Sequence, residues 1–331
     1  MVDERTDPTV GELSEGAILR RILERVGASN AEVGPGDDAA VIATADGRVV
    51  ATVDTLVHGP DFRLAWSSGF DLGFKAAAVN LADVAAMGAT PTALLVALAM
   101  PDSTRLSFVS GLAEGLRAAC DELAPGCTIE GGDLTVSDTL TVAVTALGAL
   151  AGRAPVLRSG ARVGDTVAVA GELGRAGRGL RILFERFTDA AGVPIPIDER
   201  VLDEDERRDL AAQLRPAPPV AFGPIAADAG ARAMMDVSDG LVLDASRMAA
   251  ASDVTIALDS LALAPDVDSA LTGGEDHALL ATFRSDRPLP HGFRRIGEVL
   301  ARGEAGVLVD GHAHAGRGGW DPYRDWDSHT G

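Results

Sequence analysis

Lysine is nearly absent from this sequence, and cysteines and long apolar stretches are also scarce. Lys75 is the only lysine, and it stands between Phe74 and Ala76. A P-loop requires the order Gly-Lys-Ser/Thr, so that class of phosphate-binding loop is excluded. No apolar stretch reaches about 18 residues, so we expect no membrane-spanning helix. The acidic start of the chain lacks the apolar core of a signal peptide, and none is expected.

The two cysteines, Cys120 and Cys127, both lie in or beside apolar sequence. This favours packed, unreactive thiols in a reducing compartment, so we predict a cytoplasmic protein. The six histidines are dispersed, and no Cys/His zinc pattern can be drawn. Positive charge is in deficit as well, since 29 basic residues face 49 acidic ones for a net charge of −20. That balance argues against nucleic acid or an anionic membrane as a partner.

Strand-like and helix-like patterns alternate along the chain, which predicts an α/β fold. At 331 residues the chain is long enough for two domains. The alternation breaks near 151–155, so we predict an N-terminal domain over 1–152 and a C-terminal domain over 153–331. The predicted strands lie near 39–43, 49–54, 92–99, 140–148, 166–170, 233–236, 254–259, 277–283, 293–299 and 306–310, and the main helices near 69–87, 103–124, 175–187 and 241–251.

The helix predicted over 103–124 rests on one apolar stripe. Leu106, Val109, Leu112 and Leu116 recur at the three- and four-residue spacing of a helix face. Ser103 precedes this stripe and is a residue type that commonly accepts the free N–H groups of a first helical turn. We therefore predict that Ser103 is the N-cap of this helix.

Six short acidic patches, each beside glycine or at the end of an apolar segment, are the most informative feature of the sequence. Gathered in space, these carboxylates would repel one another unless a cation lay between them. Magnesium prefers hard oxygen ligands, and proteins usually bind it through a few carboxylates together with substrate phosphates. We therefore predict a magnesium-dependent enzyme that acts on phosphates. The patches are Gly36-Asp37-Asp38, Asp54, Asp83, Gly131-Gly132-Asp133, Asp236-Val237-Ser238-Asp239-Gly240 and Gly273-Gly274-Glu275-Asp276.

Asp83 is notable because it interrupts a helical segment, 76–87, that is otherwise almost wholly apolar. Helical spacing places Asn80 and Asp83 on one face. A carboxylate on so apolar a helix is expected to be buried, and burial without a partner is costly. Its partner is therefore Lys75, an arginine or a metal ion.

Asp236 to Leu241 leads into a predicted helix and has two interpretations. Ser238 or Asp239 caps the helix, or the free N–H groups of the first turn help to form an anion or metal site. Capping alone leaves Asp236 unexplained. For the glycine-flanked acids at 36–38 and 273–276, the alternative to a functional site is an ordinary turn. We keep the turn interpretation for Asp37 and Asp276. No persuasive nucleophile–base pair is visible, which suits phosphoryl transfer, where positioning and charge neutralisation dominate.

Seven motifs occur together in an order that resembles the thiamine-monophosphate kinases, within the superfamily of aminoimidazole ribonucleotide synthetase. The resemblance covers roughly residues 12–325, essentially the whole chain. The long motif around Asn80 and Asp83 is the most extended. The motifs are Gly36-Asp37-Asp38-Ala39-Ala40, Val53-Asp54-Thr55-Leu56-Val57, the segment from Lys75 to Ala89, Gly131-Gly132-Asp133, Arg158-Ser159-Gly160-Ala161, Asp236-Val237-Ser238-Asp239-Gly240-Leu241 and Thr272-Gly273-Gly274-Glu275-Asp276.

The resemblance implies a two-domain synthetase-like fold in which the sheet of the N-terminal domain forms a homodimer interface. It implies an α/β C-terminal domain that carries a substrate-binding tail. It also implies an enzyme that transfers the γ-phosphoryl group of ATP, with several magnesium ions, to thiamine monophosphate and so makes thiamine diphosphate.

Carried over by position, the resemblance also implies site residues. Asp236, Asp83 and Arg158 are implied to be catalytic. Position 61 is Asp where many relatives have His, and position 53 is Val where a hydroxyl residue is common, so only the Val53 carbonyl is available as a ligand. The implied metal ligands are Asp38, Thr52, Val53, Asp54, Asp83, Asp133, Asp236 and Asp239; the ATP contacts are Gly132, Asp133, Arg158 and Ser238; and the contacts to the thiamine substrate are Asp61, Glu275 and Trp320.

Two other functions compete with the kinase. One is a sister synthetase that uses ATP to activate an amide oxygen, as in the purine pathway, or selenide. No cysteine precedes Cys120 and the chain ends in His329-Thr330-Gly331, which differs from the selenophosphate synthetases and the hydrogenase-maturation relatives. The other is a catalytically silent nucleotide-binding dimer. Retention of the acidic positions argues against it, because unused carboxylate clusters only destabilise a fold.

Overall fold

The computed structural model describes residues 7–32, 42–316 and 318–320. In that part of the chain, helices and strands form two sheets with helices packed on them, which confirms the α/β prediction. The helices are α1 (Glu15–Val26), α2 (Gly69–Ala86), α3 (Leu106–Leu123), α4 (Arg175–Arg186), α5 (Glu204–Leu214), α6 (Phe222–Asp228), α7 (Leu241–Ser252) and α8 (Val267–Thr272). The strands are β1 (Val50–Val57), β2 (Thr90–Met100), β3 (Thr128–Val136), β4 (Thr141–Ala149), β5 (Thr166–Ala170), β6 (Ala233–Val237), β7 (Val254–Leu258), β8 (Ala278–Phe283), β9 (Arg294–Ala301), β10 (Val307–Val309) and β11 (His312–Ala313). The strand predicted near 39–43 falls mostly outside the described residues.

The first sheet has four strands in the order β1-β4-β2-β3. β4 runs antiparallel to both of its neighbours, and β2 runs parallel to β3. Along β4, Val142, Val144 and Ala146 are fully buried, whereas the alternate residues are only half-buried. One face of this sheet is therefore packed on helices, and the described residues leave the other face largely uncovered.

Helix α2 is buried on nearly all sides because it lies between the two sheets. It contacts β1, β2 and β4 of the first sheet and β6 and β8 of the second. Its Ala78 and Leu81 belong to the same core cluster as Met234 and Leu279 of the second sheet. A helix that is apolar all round is stable only when it is enclosed in this way.

Helix α2 begins at Ser68, whose side chain accepts the N–H of Asp71 in a capping box. The prediction that Ser103 caps α3 is wrong, since Arg105 occupies that position. The backbone before α3 is engaged elsewhere: Thr104 donates its N–H to Pro101 O at 3.0 Å and accepts the Val10 N–H at 2.8 Å. The bond from Thr104 to Pro101 closes a turn that contains Ser103, so Ser103 lies before the helix, which starts at Leu106.

The second sheet has seven strands in the order β11-β10-β7-β9-β5-β8-β6. Its central strands are antiparallel, and β7 and β10 are parallel. The chain crosses from the first sheet to the second between Ala149 and Thr166, and the proposed domain boundary lies within this connection. In the described ranges, no helix combines the length and the apolar character that a membrane span requires.

Candidate active site

A cavity of about 1120 Å³ opens between the two halves of the chain. Residues from the second half of β1, the middle of α2 and the 238–239 and 273–277 loops form one part of its wall. Residues from α4 and α5 form another part, which is largely apolar. The predicted site residues that line it are Asp54, Asp61, Ser238, Asp239, Glu275 and Trp320.

Asp54 and Asp83 lie at the acidic end of this site. Asp83 Oδ2 accepts the Thr52 hydroxyl at 2.7 Å, and Asn80 Oδ1 accepts the Asp54 backbone N–H at 3.0 Å. Burial, with the nearby Asp236 and Asp54 carboxylates, raises the pKa of Asp83 to about 7. Burial also raises the pKa of Asp54. The partner that the structure gives Asp83 is thus the Thr52 hydroxyl, whereas Lys75 is paired with Glu275.

Asp236 continues the acidic end from the second sheet. This carboxylate is buried at the end of β6, and its Oδ2 lies 3.0 Å from Nδ1 of His277. Burial lowers the pKa of His277, but the Asp236, Glu275 and Asp83 carboxylates outweigh burial and raise it. These carboxylates therefore favour the protonated form of His277 over the neutral one. The sequence analysis missed His277, although it follows the Gly-Gly-Glu-Asp motif directly.

Asp239 is held by two further residues that the sequence analysis also missed. Arg247 NH1 lies 2.6 Å from Asp239 Oδ2 and 2.6 Å from Asp244 Oδ1. Asp244, in the first turn of α7, accepts the N–H groups of Ser238 and Asp239, which precede the helix. The N-cap of α7 is Gly240, so the prediction that Ser238 or Asp239 caps this helix is wrong. The available signal was an acid in the first turn of a predicted helix, where the helix dipole favours negative charge.

Glu275 and Asp61 are two further carboxylates in the wall of the cavity. Lys75 Nζ lies 2.9 Å from Glu275 Oε1, and Gln213 donates to Glu275 Oε2. Burial alone would raise the pKa of Glu275, but Lys75 and Gln213 hold it below its usual range. Asp61 Oδ2 accepts the Val57 N–H at 2.7 Å, and burial raises the pKa of Asp61.

Aromatic side chains form the apolar wall and one rim of the cavity. Trp66 is buried, donates its indole N–H to Phe187 O at 3.0 Å and packs edge-on against Phe184. Trp320 is 45% exposed and donates its backbone N–H to Asp239 O at 2.9 Å. This bond docks the start of the tail beside Asp239. An indole in this position suits a flat or cationic ring.

Several predicted site residues lie apart from this cluster. Gly132 and Asp133 are on β3, the edge of the first sheet opposite to β1, so three strand spacings (roughly 14 Å) separate them from Asp54. Asp133 is exposed and pairs with Ala97, on the open side of the sheet. Arg158 is exposed in the connection between the sheets, where its carbonyl accepts the Ser252 hydroxyl.

The Val53 side chain is 60% exposed on the open face of the first sheet, consistent with only its carbonyl being available to a ligand. Asp38 lies outside the described residues, as does Asp37.

Asp276 does not occupy an ordinary turn, so that interpretation is wrong. Its side chain is buried, and its Oδ1 accepts the Ala176 N–H at 2.9 Å in the first turn of α4. Burial raises its pKa. Asp276 thus joins the 273–277 loop to α4, a long-range contact that no local pattern indicates.

The donor set fits magnesium in kind. Asp54, Asp83, Asp236 and Asp239 offer hard oxygen ligands. The pKa values of Asp54 and Asp83 are raised because these carboxyl groups are buried beside other carboxylates, and a bound cation would offset both effects. Among the residues that the structure describes, no three Asp, Glu, His or Cys side chains converge closely enough to hold a metal unaided. Magnesium usually completes its shell with water and substrate phosphates, so a complete protein cage is not required.

Residues 36–150 match the family model described as AIR synthase related protein, N-terminal domain. A thiamine-monophosphate kinase of Mycobacterium tuberculosis is 42% identical over 337 residues, which cover 97% of this chain and 95% of that protein. The chain belongs to the thiamine-monophosphate kinase family. This family membership confirms the resemblance read from the motifs.

Solved structures of this family share the fold. The crystal structure of thiamine-monophosphate kinase from Stenotrophomonas maltophilia K279a matches with a TM-score of 0.76 and 33% identity, covering 91% of this chain and 98% of that chain. A structure of AaThiL complexed with AMPPCP and TMP matches with a TM-score of 0.72 and 30% identity, covering 93% and 96%. The predicted synthetase-like fold is therefore confirmed.

Proposed function

We propose that this protein is an ATP-dependent kinase that phosphorylates thiamine monophosphate to thiamine diphosphate. The observation that carries the proposal is the 42% identity to a thiamine-monophosphate kinase along nearly the whole of both chains. The cavity supports it, because Asp54, Asp239, Glu275 and Trp320 line one space. The complex of AaThiL with AMPPCP and TMP indicates that a family member with this fold accommodates both ligands.

In the proposed reaction, an oxygen of the acceptor phosphate bonds to the γ-phosphorus of ATP while the bond from that phosphorus to the β–γ bridging oxygen breaks. ADP leaves with the electron pair of the broken bond. The protein contributes position and charge to such a transfer rather than a covalent step. We assign Gly132, Asp133, Arg158 and Ser238 to ATP, with Arg158 neutralising phosphate charge.

Magnesium is part of the proposal. The residues proposed to hold it are Asp38, Thr52, the Val53 carbonyl, Asp54, Asp83, Asp133, Asp236 and Asp239. When bound, magnesium would neutralise charge on the transferred phosphoryl group and relieve the repulsion among the aspartates. Since Asp133 lies on the far edge of the sheet from Asp54, we propose that it serves a different ion or a different phosphate from the Asp54 cluster.

The thiamine end of the site is assigned to Asp61, Glu275 and Trp320. Two carboxylates near an indole suit a substrate that carries a cationic thiazolium ring. Lys75 balances Glu275, so the wall is not left with a large excess of negative charge. We place this reaction in the cytoplasm, where ATP is available.

We also propose a homodimer that forms through the open face of the first sheet. That face carries mainly Ala, Val, Leu and Thr side chains on β1, β4 and β2, and Val53 is 60% exposed on it. A weakly polar sheet face with exposed apolar side chains usually marks a protein contact. Val53→Lys is expected to shift the protein from dimer to monomer in light scattering, whereas Leu261→Lys, at a residue 85% exposed elsewhere, should not.

The enzymatic proposal is tested by incubating the protein with ATP, magnesium and thiamine monophosphate and identifying the products by mass spectrometry. Thiamine diphosphate and ADP in equal amounts are expected. Asp236→Asn should lower the rate by at least roughly 100-fold, since it removes one of the carboxylates proposed to hold the magnesium that would neutralise the phosphate charge. No diphosphate, with turnover on a purine-pathway amide substrate instead, would favour the sister synthetase. ATP binding without any turnover would favour the silent dimer.

A further inference from the structure

Asp244 lies directly behind the Ser238–Asp239 peptide and is completely buried, with 0% of its surface exposed. Its Oδ2 accepts the Ser238 N–H at 3.1 Å and the Asp239 N–H at 3.0 Å. An ionised acceptor inside the protein holds an N–H more strongly than a neutral acceptor at the surface does.

Arg247 links Asp244 to Asp239. One nitrogen, NH1, lies 2.6 Å from Asp244 Oδ1 and 2.6 Å from Asp239 Oδ2. The guanidinium therefore compensates a buried charge and, at the same time, fixes the rotamer of the Asp239 carboxylate. Asp239 lines the cavity, and its second oxygen, Oδ1, is not engaged by Arg247.

The carbonyl groups of the same two residues are also held. Ser238 O accepts the Glu275 N–H at 2.8 Å, and Asp239 O accepts the Trp320 N–H at 2.9 Å. All four backbone polar groups of this dipeptide are thus bonded. Its N–H side is anchored on Asp244, whereas its carbonyl side holds Glu275 and Trp320, two of the three residues assigned to the thiamine substrate.

We propose that Asp244, supported by Arg247, is a positioning residue for the whole site. It sets the place of Ser238 and Asp239 at the phosphate end and, through their carbonyls, the place of Glu275 and Trp320. This inference rests on the proposed function for its kinetic consequences. Its structural consequence, an immobile 238–239 peptide, is independent of any activity.

Asp244→Asn is the sharpest variant because it is nearly isosteric. An amide has one oxygen, so it accepts either from the two N–H groups or from Arg247, and its NH2 group then opposes a donor on the other side. We expect faster amide hydrogen exchange in peptides that cover 236–240. We also expect kcat/KM to fall roughly 10- to 100-fold for both ATP and thiamine monophosphate, since small misplacements of positioned groups cost this much.

Asp165→Asn is the matched control. Asp165 is also buried, at 2% exposed, and it accepts an arginine at 2.6 Å, here Arg232, together with a backbone N–H, from Arg162. It does not line the cavity. We expect this variant to lose thermal stability while its kcat/KM stays within about twofold of wild type and exchange in 236–240 stays unchanged.

Arg247→Met and Arg247→Lys provide a second test of the proposal. If Asp244→Asn does not fold, these two variants decide it. Met removes both bonds from a side chain that is 40% exposed, so the fold should tolerate it. Lys restores the charge, and we expect it to recover part of the lost kcat/KM and of the exchange protection.

The inference is overturned if folded Asp244→Asn keeps wild-type exchange in 236–240 and wild-type kcat/KM, or if Asp165→Asn loses activity to the same extent. Failure of the proposed function is a separate result. It would show as wild-type protein that makes no thiamine diphosphate, and the exchange comparison would then decide the inference by itself.

Discussion

Lys75 and Glu275, which lie 200 positions apart, form an ion pair of 2.9 Å in the wall of the cavity. Lys75 is the only lysine of the chain and is buried. It belongs to α2, the helix between the two sheets, whereas Glu275 belongs to the loop before β8. The pair therefore ties the halves of the chain together at the substrate end of the site.

Replacing Lys75 should lower the stability of the folded protein. Lys75→Met leaves the Glu275 carboxylate without its cation, and we expect the free energy of unfolding to fall by about 2 kcal/mol in urea denaturation. Arg208→Met is the comparison, because Arg208 pairs with Glu204 at an exposed helix surface and should contribute less than about 0.5 kcal/mol. Equal losses in the two variants would contradict a structural role for the Lys75 pair.

The stability of the metal-free protein should decrease as pH rises. The pKa of Asp83 is raised to about 7, so the folded protein binds more protons than the unfolded chain does between about pH 4 and pH 7. The free energy of unfolding therefore falls across that window, for Asp83 by up to about 4 kcal/mol. The raised pKa values of Asp54 and His277 act in the same direction.

Urea denaturation with a chelator at pH 5 and pH 8 measures this dependence of the free energy of unfolding on pH. Asp83→Asn should flatten it, and magnesium added at pH 8 should restore stability to the wild type. The same slope in Asp83→Asn and in the wild type would show that the pH dependence has another origin.

Trp320→Ala should weaken binding of the thiamine substrate and leave ATP largely unaffected. The backbone N–H of residue 320 still docks on Asp239, so only the indole is lost. Loss of a stacked ring costs about 1–2 kcal/mol, so the KM for thiamine monophosphate should rise roughly 10-fold in steady-state kinetics. Leu261→Ala, at another exposed apolar residue, serves as the control. An equal rise in the KM for ATP would show that Trp320 acts on the site as a whole.

Gly73 permits α2 and α3 to pack in close contact. A Cβ at this position would lie 2.0 Å from Leu112 O, a backbone atom that cannot move away. We expect Gly73→Ala to lower the free energy of unfolding by about 3 kcal/mol or more, measured by urea denaturation. Gly16→Ala, in α1 with open space around it, should instead stabilise by about 0.5–1 kcal/mol. A mild effect at Gly73 would mean that the helices can separate without cost.

Local sequence determined most of the secondary structure and the chemical class of the site. Alternation of apolar segments predicted the strands at 90–100, 141–149 and 166–170 within two residues, because sheet burial imposes a local pattern. The apolar surroundings of Asp83 predicted an enclosed helix. Glycine-flanked acids indicated magnesium and phosphate, since few other ligands suit such groups.

Tertiary structure alone decided which of those acids meet. In the first sheet, Asp133 and Asp54 are three strand spacings apart, and nothing in either segment encodes that distance. The partners that fix each acid also come from remote segments, as Thr52 does for Asp83 and His277 for Asp236. Burial and pKa depend on these contacts, because the cost of a buried charge is set by the groups that surround it. The sequence thus determined what kind of side chains the site contains, and the fold decided how their charges are balanced.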